Sequence, residues 1–538
     1  MYDVVRLGIK NIREGVSLRK TLKSLLLVGL LVLLTGSVFA AKSVYPLTSN
    51  VTLKYWMPLH ANVQLVAKNF GDTEFAKELA KRTGVKAQFL HPATGNTAAL
   101  EAFNLMMASG DLPDLIEYRW FDIPGGPNSA IENGYIHKLN PIMDKYAPNL
   151  KAYLKRNPQY NKMVKTDEGS YYVFPFIRGD ESLICTAGPI VRQDWLDELG
   201  LKAPETIDEW YNVLKVFRDK KGATTPLSVL STELSGAFAG GTDSFDGFYV
   251  DKGKVHYGSI EPARKKYFET MNKWYKEGLL DKNFATVTRK VIDANILGGK
   301  SGATYGSGGS GLGRYMDAMQ GKDAKFSLVA TKYPSPKKGQ LAKFANRSAP
   351  FGPANDGNVA ISTKCKNVEA AARMLDYAYS EEGNLFYNFG IEGTTYKMVD
   401  KYPKYTELIM NNPDKMSPTQ IMSKYMRGCN NGPFVQDKRY LEQYYALPAQ
   451  KAAMTLWKTN NFGKYKIPPI TPTPKESEEL AKIINEINTY NDEMTLKFIM
   501  GVEPIANFDK YVEQIKKLGV DRAVAINQAA YNRYQNRK

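Results

Sequence analysis

The residue types that most often catalyse reactions or bind metals are scarce in this chain of 538 residues. Cys185, Cys365 and Cys429 are far apart and odd in number, so we expect buried free thiols rather than disulfides. The four histidines show no His-x-x-x-His spacing, and no Cys-x-x-Cys pair occurs, which argues against a transition-metal site. Gly-x-Ser-x-Gly and His-Glu-x-x-His motifs are also missing. We therefore expect no metal and no cofactor.

Acidic residues, in contrast, are plentiful: the chain has 55 Asp and Glu. Two carboxylates that face each other across a cleft are able to hydrolyse a glycoside. The sequence alone leaves that catalytic alternative open.

A glycine-rich segment at 302–313 is the only low-complexity stretch. It fits neither a P-loop nor a G-x-G-x-x-G turn between a strand and a helix, so it does not indicate a nucleotide site. Its glycines predict a loop that lets a ligand approach the backbone closely.

Strands and helices alternate along the mature chain. Strand-like runs at 51–56, 85–90 and 115–118 are separated by helical patterns, of which the second covers 97–109 and ends before Gly110. Thr206 and Glu209 form a capping box at the start of another helix. This order predicts an α/β fold with mostly parallel sheets flanked by helices, followed by extra C-terminal helices.

The N-terminus resembles a secretory signal. A basic stretch precedes an apolar run from Leu25 to Leu34, and small residues follow up to Ala41. The apolar run is about half the ~20 residues that span a bilayer, so we expect cleavage after Ala40 rather than a membrane anchor. No cysteine lies near the cleavage point, which favours the periplasm over a lipoprotein.

Composition and charge narrow the partners. The formal net charge is +17, and about +13 remains once the signal is removed. The basic residues are dispersed, so nucleic acid is not indicated, and either an anionic ligand or a lysine-rich solvated surface explains the charge. About 500 mature residues are too many for one core and predict at least two domains.

Several sequence blocks resemble the family 1 solute-binding proteins of carbohydrate ABC importers, around the alginate-oligosaccharide-binding and LplA-related proteins. They keep one order along the chain, at 103–114, 190–201 continuing into 204–210, 274–279, 388–396 and 529–534. We read Trp195, Trp210 and Trp274 within these blocks as packing residues on helices.

The resemblance implies a two-lobe periplasmic-binding-protein fold of class II type, in which a ligand closes the lobes. We expect residues 41–176 and 330–400 in the N-terminal lobe, and residues 177–329 and 401–538 in the C-terminal lobe, with residues 1–40 as the signal peptide. The implied function is capture of an oligosaccharide for a membrane permease, by a protein expected to be a monomer.

Sugar sites combine aromatic faces with planar polar groups, and residues just after strands are placed to face a cleft. The candidate ligand-binding residues are Trp56, His60, Arg119, Trp120, Phe176, Arg178, Tyr305, Arg347, Tyr396 and Phe434. A guanidinium grips a carboxylate in a bidentate fork, so the arginines and the net charge favour an acidic sugar.

Each candidate has a structural alternative. Trp56, Phe176 and Phe434 are equally consistent with core packing, and Arg178 and Arg347 with ion pairs at the surface or between lobes. His60 is also consistent with a hydrogen-bonded position at the rim.

The segment matching the calcium loop of the alginate binders is basic here, at 217–226, so no calcium site is expected. The aromatic platform of those proteins matches the glycine-rich segment, where only Tyr305 and Tyr315 are aromatic. We therefore expect a ligand other than alginate. The competing hypotheses are a secreted glycan-cleaving enzyme and a binding protein for another solute, such as a peptide.

Overall fold

The chain folds around several short β-sheets, two of which organise the candidate sites. The structure is a computed structural model and describes residues 44–48, 50–121, 123, 125–346, 348–351, 357–414 and 416–537. The predicted signal peptide and its cleavage point lie outside these residues. Residues 44–48 belong to a separate unit and contain no helix or strand, and everything below concerns the unit from Ser49 onward.

The strands of the described residues are β1 (Thr52–Trp56), β2 (Lys86–Leu90), β3 (Leu115–Glu117), β4 (Ile177–Arg178), β5 (Ala187–Arg192), β6 (Phe248–Asp251), β7 (Lys254–Tyr257), β8 (Ala303–Ser307), β9 (Leu328–Ala330), β10 (Val359–Ile361), β11 (Tyr396–Val399), β12 (Tyr402–Tyr405) and β13 (Val435–Gln436).

The α-helices of the described residues are α1 (Ala61–Gln64), α2 (Glu74–Thr83), α3 (Asn96–Ser109), α4 (Gly126–Glu132), α5 (Asn140–Tyr146), α6 (Pro148–Arg156), α7 (Pro158–Met163), α8 (Gln193–Glu198), α9 (Ile207–Lys221), α10 (Ser231–Phe238), α11 (Pro262–Lys276), α12 (Arg289–Leu297), α13 (Arg314–Met319), α14 (Val368–Tyr377), α15 (Glu381–Phe389), α16 (Glu407–Met410), α17 (Pro418–Tyr425), α18 (Lys438–Tyr444), α19 (Pro448–Trp457), α20 (Pro474–Met500), α21 (Phe508–Lys517) and α22 (Val520–Asn536). In the same residues, we find no helix with the length and apolar character needed to cross a bilayer.

The first sheet has the strand order β10-β3-β1-β2, and β1 runs parallel to both of its neighbours. Leu53 and Tyr55 of β1 are buried while Thr52 and Lys54 are exposed, the period-two pattern of a strand with one covered face. β10, which joins this sheet after the chain returns from the second sheet, runs antiparallel to β3.

The second sheet differs from the predicted mostly parallel arrangement. Its order is β8-β5-β9, and β5 is antiparallel to both neighbours. Around this sheet, isolated parallel bridges join Leu227 to Ala303 and to Leu280, and Thr206 to Ser335. The chain reaches β5 from β4, after the helices that follow the first sheet.

Local signals placed several helices correctly. α3 ends at Gly110, whose φ of 69° is the left-handed conformation that closes a helix. At α9, the Thr206 hydroxyl accepts from the Glu209 amide, and the Glu209 carboxylate accepts from the Thr206 amide. Trp195, Trp210 and Trp274 are buried in the core around the second sheet, as predicted.

Three chain segments, which we call the crossing segments, connect the two sheet regions: 177–187, 330–359 and 436–448. Through residues that the structure describes, the first segment contacts each of the other two. β4 pairs with β13 in parallel register, and the Arg178 amide donates to the carbonyl of Pro350 at 2.8 Å. Beyond them, α19 packs on β9, and α20 packs on α11.

Candidate functional site

The first cavity lies at the carboxyl ends of β1 and β3, where parallel strands commonly place a ligand. Its volume is about 340 Å³. The segment after β1 supplies Met57 to Ala61, and the end of β3 supplies Glu117 to Arg119. Arg427 and Asn431, far along the chain, complete the polar part of the wall. Polar and apolar groups therefore share one concave surface.

A buried ion pair forms the floor of this cavity. Arg427 donates to the two oxygens of Glu117 at 2.6 and 3.0 Å, and their side chains are 4% and 3% exposed. The Tyr55 hydroxyl donates to the same carboxylate at 2.6 Å. Burial alone would lower the pKa of Arg427, but the charge and hydrogen bonds of Glu117, together with the nearby Tyr55 and Tyr387, outweigh burial and raise it. The floor is thus a fixed, buried ion pair.

Elements of both early and late sequence build this floor. Tyr55 and Glu117 lie on adjacent strands of the first sheet. Arg427 follows α17, its amide donates to the carbonyl of Tyr387, and its guanidinium lies 5.2 Å from the centre of the Phe70 ring. The bidentate fork is occupied by Glu117, so Arg427 orients neighbouring groups rather than gripping a ligand carboxylate.

His60 lies in the wall of the first cavity and precedes α1. Its Nδ1 accepts the amide hydrogen of Asn62 at 3.2 Å, so the ring proton is on Nε2. Burial, assisted by the positive charge of Arg427, lowers the pKa of His60 to about 4. At neutral pH His60 is therefore an uncharged hydrogen-bond donor.

Arg119, which also lines the first cavity, is half-buried. Its guanidinium carbon lies 5.4 Å from the centre of the Tyr118 ring, and Nη2 donates to the Tyr118 hydroxyl at 3.3 Å. This contact holds the side chain of Arg119 beside the cavity.

The two predicted tryptophans next to these residues are packed away from the cavity. Trp56 is 8% exposed and contacts Phe103 and Tyr118, with ring centres 6.1 and 5.6 Å apart. Trp120 is fully buried against Phe103 and donates from its indole nitrogen to the carbonyl of Asn358. The structure thus brings four predicted residues together but places only His60 and Arg119 on the wall.

Three predicted residues gather at the crossing segments. Phe176 and Phe434 are buried with their ring centres 5.3 Å apart. Arg178 covers the Phe176 ring and donates from Nη1 to the carbonyl of Ala349 at 3.3 Å. Burial lowers the pKa of Arg178. Phe176 and Phe434 thus pack together just before the first and third crossing segments, and Arg178 links the first segment to the middle one.

Tyr305 and Tyr396 do not line the first cavity. Tyr305 is a buried residue of β8 in the second sheet and accepts a hydrogen bond from Asn346 at 2.7 Å. Tyr396 is buried against Phe389 in a separate hydrophobic cluster. Arg347 lies outside the described residues.

The glycine-rich segment does approach another part of the molecule closely, but the neighbour is protein. A Cβ at Gly308 would lie 2.5 Å from Tyr445, and one at Gly309 would lie 2.7 Å from Tyr444. Gln450 also donates to the carbonyl of Gly308 at 2.8 Å. These glycines make room for the crossing segment at 436–448 and for α19.

Cysteine and metal chemistry are limited in the described residues. The cysteines there form no disulfide; Cys185 and Cys365 are buried, and Cys429 is half-buried. No cluster of three His, Cys, Asp or Glu suited to a metal ion occurs in the described part of the chain. The expected absence of metal stays a prediction.

Sequence reasoning missed Glu117, Arg427 and Asn431. Glu117 ends the apolar run of β3, and an acidic residue there was a usable signal because a strand end faces the crevice. Arg427 and Asn431 belong to a Gly/Asn-rich loop immediately before Phe434. Nothing local assigns that loop to the first sheet.

Two lobes with a polar cavity at strand ends define the class of solute-binding proteins. The chain belongs to the bacterial extracellular solute-binding protein family, whose profile matches residues 66–385. The predictions of this family, of the two-lobe α/β fold and of a solute-binding role are therefore confirmed, and the family's extracellular setting agrees with export.

Similar proteins include the fructooligosaccharide ABC transporter substrate-binding protein FusA of Streptococcus pneumoniae, 25% identical over 92% of each chain. The polygalacturonan/rhamnogalacturonan-binding protein YtcQ of Bacillus subtilis is 27% identical over 78% of this chain and 80% of its own. The crystal structure of alginate-binding protein AlgQ2 without calcium ion superposes with a TM-score of 0.71, at 26% identity, covering 90% of this chain and 98% of AlgQ2.

Proposed function

We propose that this protein is the substrate-binding component of an ABC importer, and that it captures an oligosaccharide between its lobes for delivery to membrane permease subunits. Its relatives FusA, YtcQ and AlgQ2 carry names that describe binding of carbohydrates. The family supplies the role, and these names supply the ligand class.

The observation that carries this proposal is the composition of the first cavity. Its volume lies within the ~300–1,000 Å³ typical of small-molecule sites. Met57, Pro58 and Leu59 offer apolar surface, while His60 and Asn431 offer hydrogen-bonding groups. Sugar rings present both kinds of surface, with hydroxyls around the edge and C–H groups on the faces.

The same cavity supports binding rather than cleavage. Glycoside hydrolysis generally uses two carboxyl groups on opposite sides of the bond. Among the described residues that line the first cavity, Glu117 is the sole carboxylate, and Arg427 and Tyr55 already bind it. We therefore propose that the protein is not an enzyme.

In this proposal, closure of the two lobes around the ligand is what the permease recognises. A ligand shifts the open–closed equilibrium only as far as it prefers the closed form. The crossing segments are the natural hinge because they are the backbone links between the sheet regions. We propose that the closed monomer docks on the permease.

The lobe division predicted from sequence stays a proposal, and packing refines it. Ala342 and Phe344 belong to the core around the second sheet. α17 packs on α1 and α2, which follow the first sheet's opening strand. We propose that residues up to about 345 belong to the second lobe and that residues 359–436 belong to the first.

We further propose a periplasmic location after removal of the signal peptide near Ala40, with no lipid attached. An acidic sugar remains our preferred ligand because Arg119 lines the first cavity and the net charge stays at about +13 once the signal is removed. Arg178 and Arg427 add little to that preference, since Nη1 of Arg178 donates to Ala349 and both Nη atoms of Arg427 donate to Glu117.

Calorimetric titration tests the proposal with fructo-oligosaccharides, oligogalacturonides and alginate oligomers. We expect saturable binding of at least one series, tighter for uronate-containing sugars, together with a ligand-dependent decrease in radius measured by X-ray scattering. Tighter binding of neutral sugars would overturn the acidic preference alone. Release of shorter products would instead favour a glycan-cleaving enzyme, and thermal stabilisation by peptides alone would favour a peptide-binding protein.

A further inference from the structure

A second cavity, of about 450 Å³, opens beside the core around the second sheet. Its walls come from α10, from the loop at 239–248 that follows, and from residues near 345 and 465. It shares no lining residue with the first cavity.

An aromatic cluster forms one wall of the second cavity. The Phe245 ring lies nearly parallel to that of Phe344, with centres 5.0 Å apart, and 4.9 Å from that of Phe462. Phe344 and Phe462 are buried, whereas Phe245 is only half-buried. The buried rings therefore fix the orientation of Phe245, which keeps part of its surface accessible.

Polar groups face the same space. Arg264, which is fully buried, donates to Ser235 at 2.9 Å and to Asp246 at 2.6 Å. Ser259 and Asn491 donate to Asp246 at 2.7 and 3.2 Å. Ser235 and Asp246 are thus held in fixed positions in the wall.

Ser244 adds an independent indication of a ligand. It is fully buried in the wall of the second cavity, and its hydroxyl has no hydrogen-bond partner among the described residues. A buried hydroxyl that has lost water without gaining a partner is unfavourable. Such a group is expected to find its partner in whatever occupies the cavity.

We infer that the second cavity binds one ring of an oligosaccharide, with a C–H face of the ring against Phe245 and a ring hydroxyl hydrogen-bonded to Ser244. This inference rests on the proposed carbohydrate-binding function. It adds a second sugar-binding surface whose lining is separate from that of the first cavity. Asp246 and Ser235 make the cavity too polar for a purely apolar ligand.

The test uses the full mature chain and calorimetry with monosaccharides and oligomers of the series named above. Ser244→Ala removes the hydroxyl without depriving any described group of a partner, so folding is preserved. We expect about two- to tenfold weaker oligosaccharide binding. Thr232→Trp places an indole at the exposed rim and is expected to weaken binding of the longer oligomers most.

Ser231→Ala is the matched control. Ser231 lies on α10 next to Thr232 but does not line the second cavity. Its affinities should equal those of the wild type. If oligosaccharides bind the wild type, Ser244→Ala and Thr232→Trp equally well, the second cavity holds only water and the inference fails while the proposed function survives. If the wild type binds no saccharide, the proposed function fails and the inference with it.

Discussion

Glu117 and Arg427 are 310 positions apart in the chain, yet they form a bidentate, almost completely buried ion pair beneath the first cavity. One end of the pair terminates β3, and the other belongs to the loop after α17. The pair therefore fixes a late loop against the first sheet and makes one cavity wall from two distant segments.

Replacing Arg427 with methionine should destabilise the protein, because Glu117 then stays buried without its counter-charge. The expected loss is about 3–5 kcal/mol in the free energy of unfolding measured with urea. The double variant Glu117→Gln with Arg427→Met should recover part of it. Arg156→Met, at an exposed helix end, is the control. If Arg427→Met were as stable as the control Arg156→Met, a stabilising role for the Glu117–Arg427 pair would be contradicted.

His60 predicts a pH dependence of stability. Its pKa is about 4 in the folded protein, below its ordinary value of 6.5. Between those two pH values the unfolded chain binds more protons, so stability falls as the pH drops from about 6.5 to 4, by up to ~3 kcal/mol. The charged groups that act on His60 are Arg427, which lowers its pKa, and Glu117, which raises it.

The variant His60→Asn tests this dependence because asparagine also caps helices but does not titrate. Unfolding curves at several pH values should give a shallower slope for the variant than for the wild type. Asp376, whose pKa is raised to about 6 mainly by burial, titrates in the same range but is common to both proteins and cancels in the comparison. Identical slopes would show that His60 does not titrate as described.

Arg119→Gln should lower affinity for uronate-containing oligosaccharides by roughly tenfold and change affinity for neutral ones much less. The reason is that a charged hydrogen bond contributes about 1.5–3 kcal/mol, more than a neutral one. Calorimetry at low and high salt measures the difference. A uniform loss for all sugars would instead indicate that Arg119 shapes the wall.

Gly308→Ala should destabilise the protein by about 1–3 kcal/mol, since the new methyl group overlaps the Tyr445 ring. Gly236→Ala is the matched control: it lies in α10, and its Cβ would make only a 3.4 Å contact with Asn346. Thermal unfolding of both variants measures the effect. Unchanged stability of Gly308→Ala would mean that the glycine-rich segment shifts to accommodate the methyl group without cost.

Local patterns predicted much of the fold. The capping box at Thr206 and the glycine at position 110 determine helix ends through bonds within a few residues, so the sequence contains the whole signal. The direction of β5 could not be predicted in this way. It depends on the point from which the chain crosses between sheets, which is a property of the tertiary path.

The site was less predictable for the same reason. His60 and Arg119 follow their strands directly and reach the cavity wall. Trp56 and Trp120 have equivalent positions, but their large apolar surface is better buried against Phe103. Arg427 enters the site only through the folding of a distant loop, so no local pattern identifies its partner Glu117.

The three crossing segments and the hydrogen bonds among them determine what a single proteolytic cut does to the protein. Neither sheet region is a continuous stretch of sequence, so neither can be released by cutting the chain once. A protease that cleaves the middle segment near Phe351 leaves two intact covalent connections beside the cut. The nicked protein should elute as one native particle and separate into fragments only in denaturant.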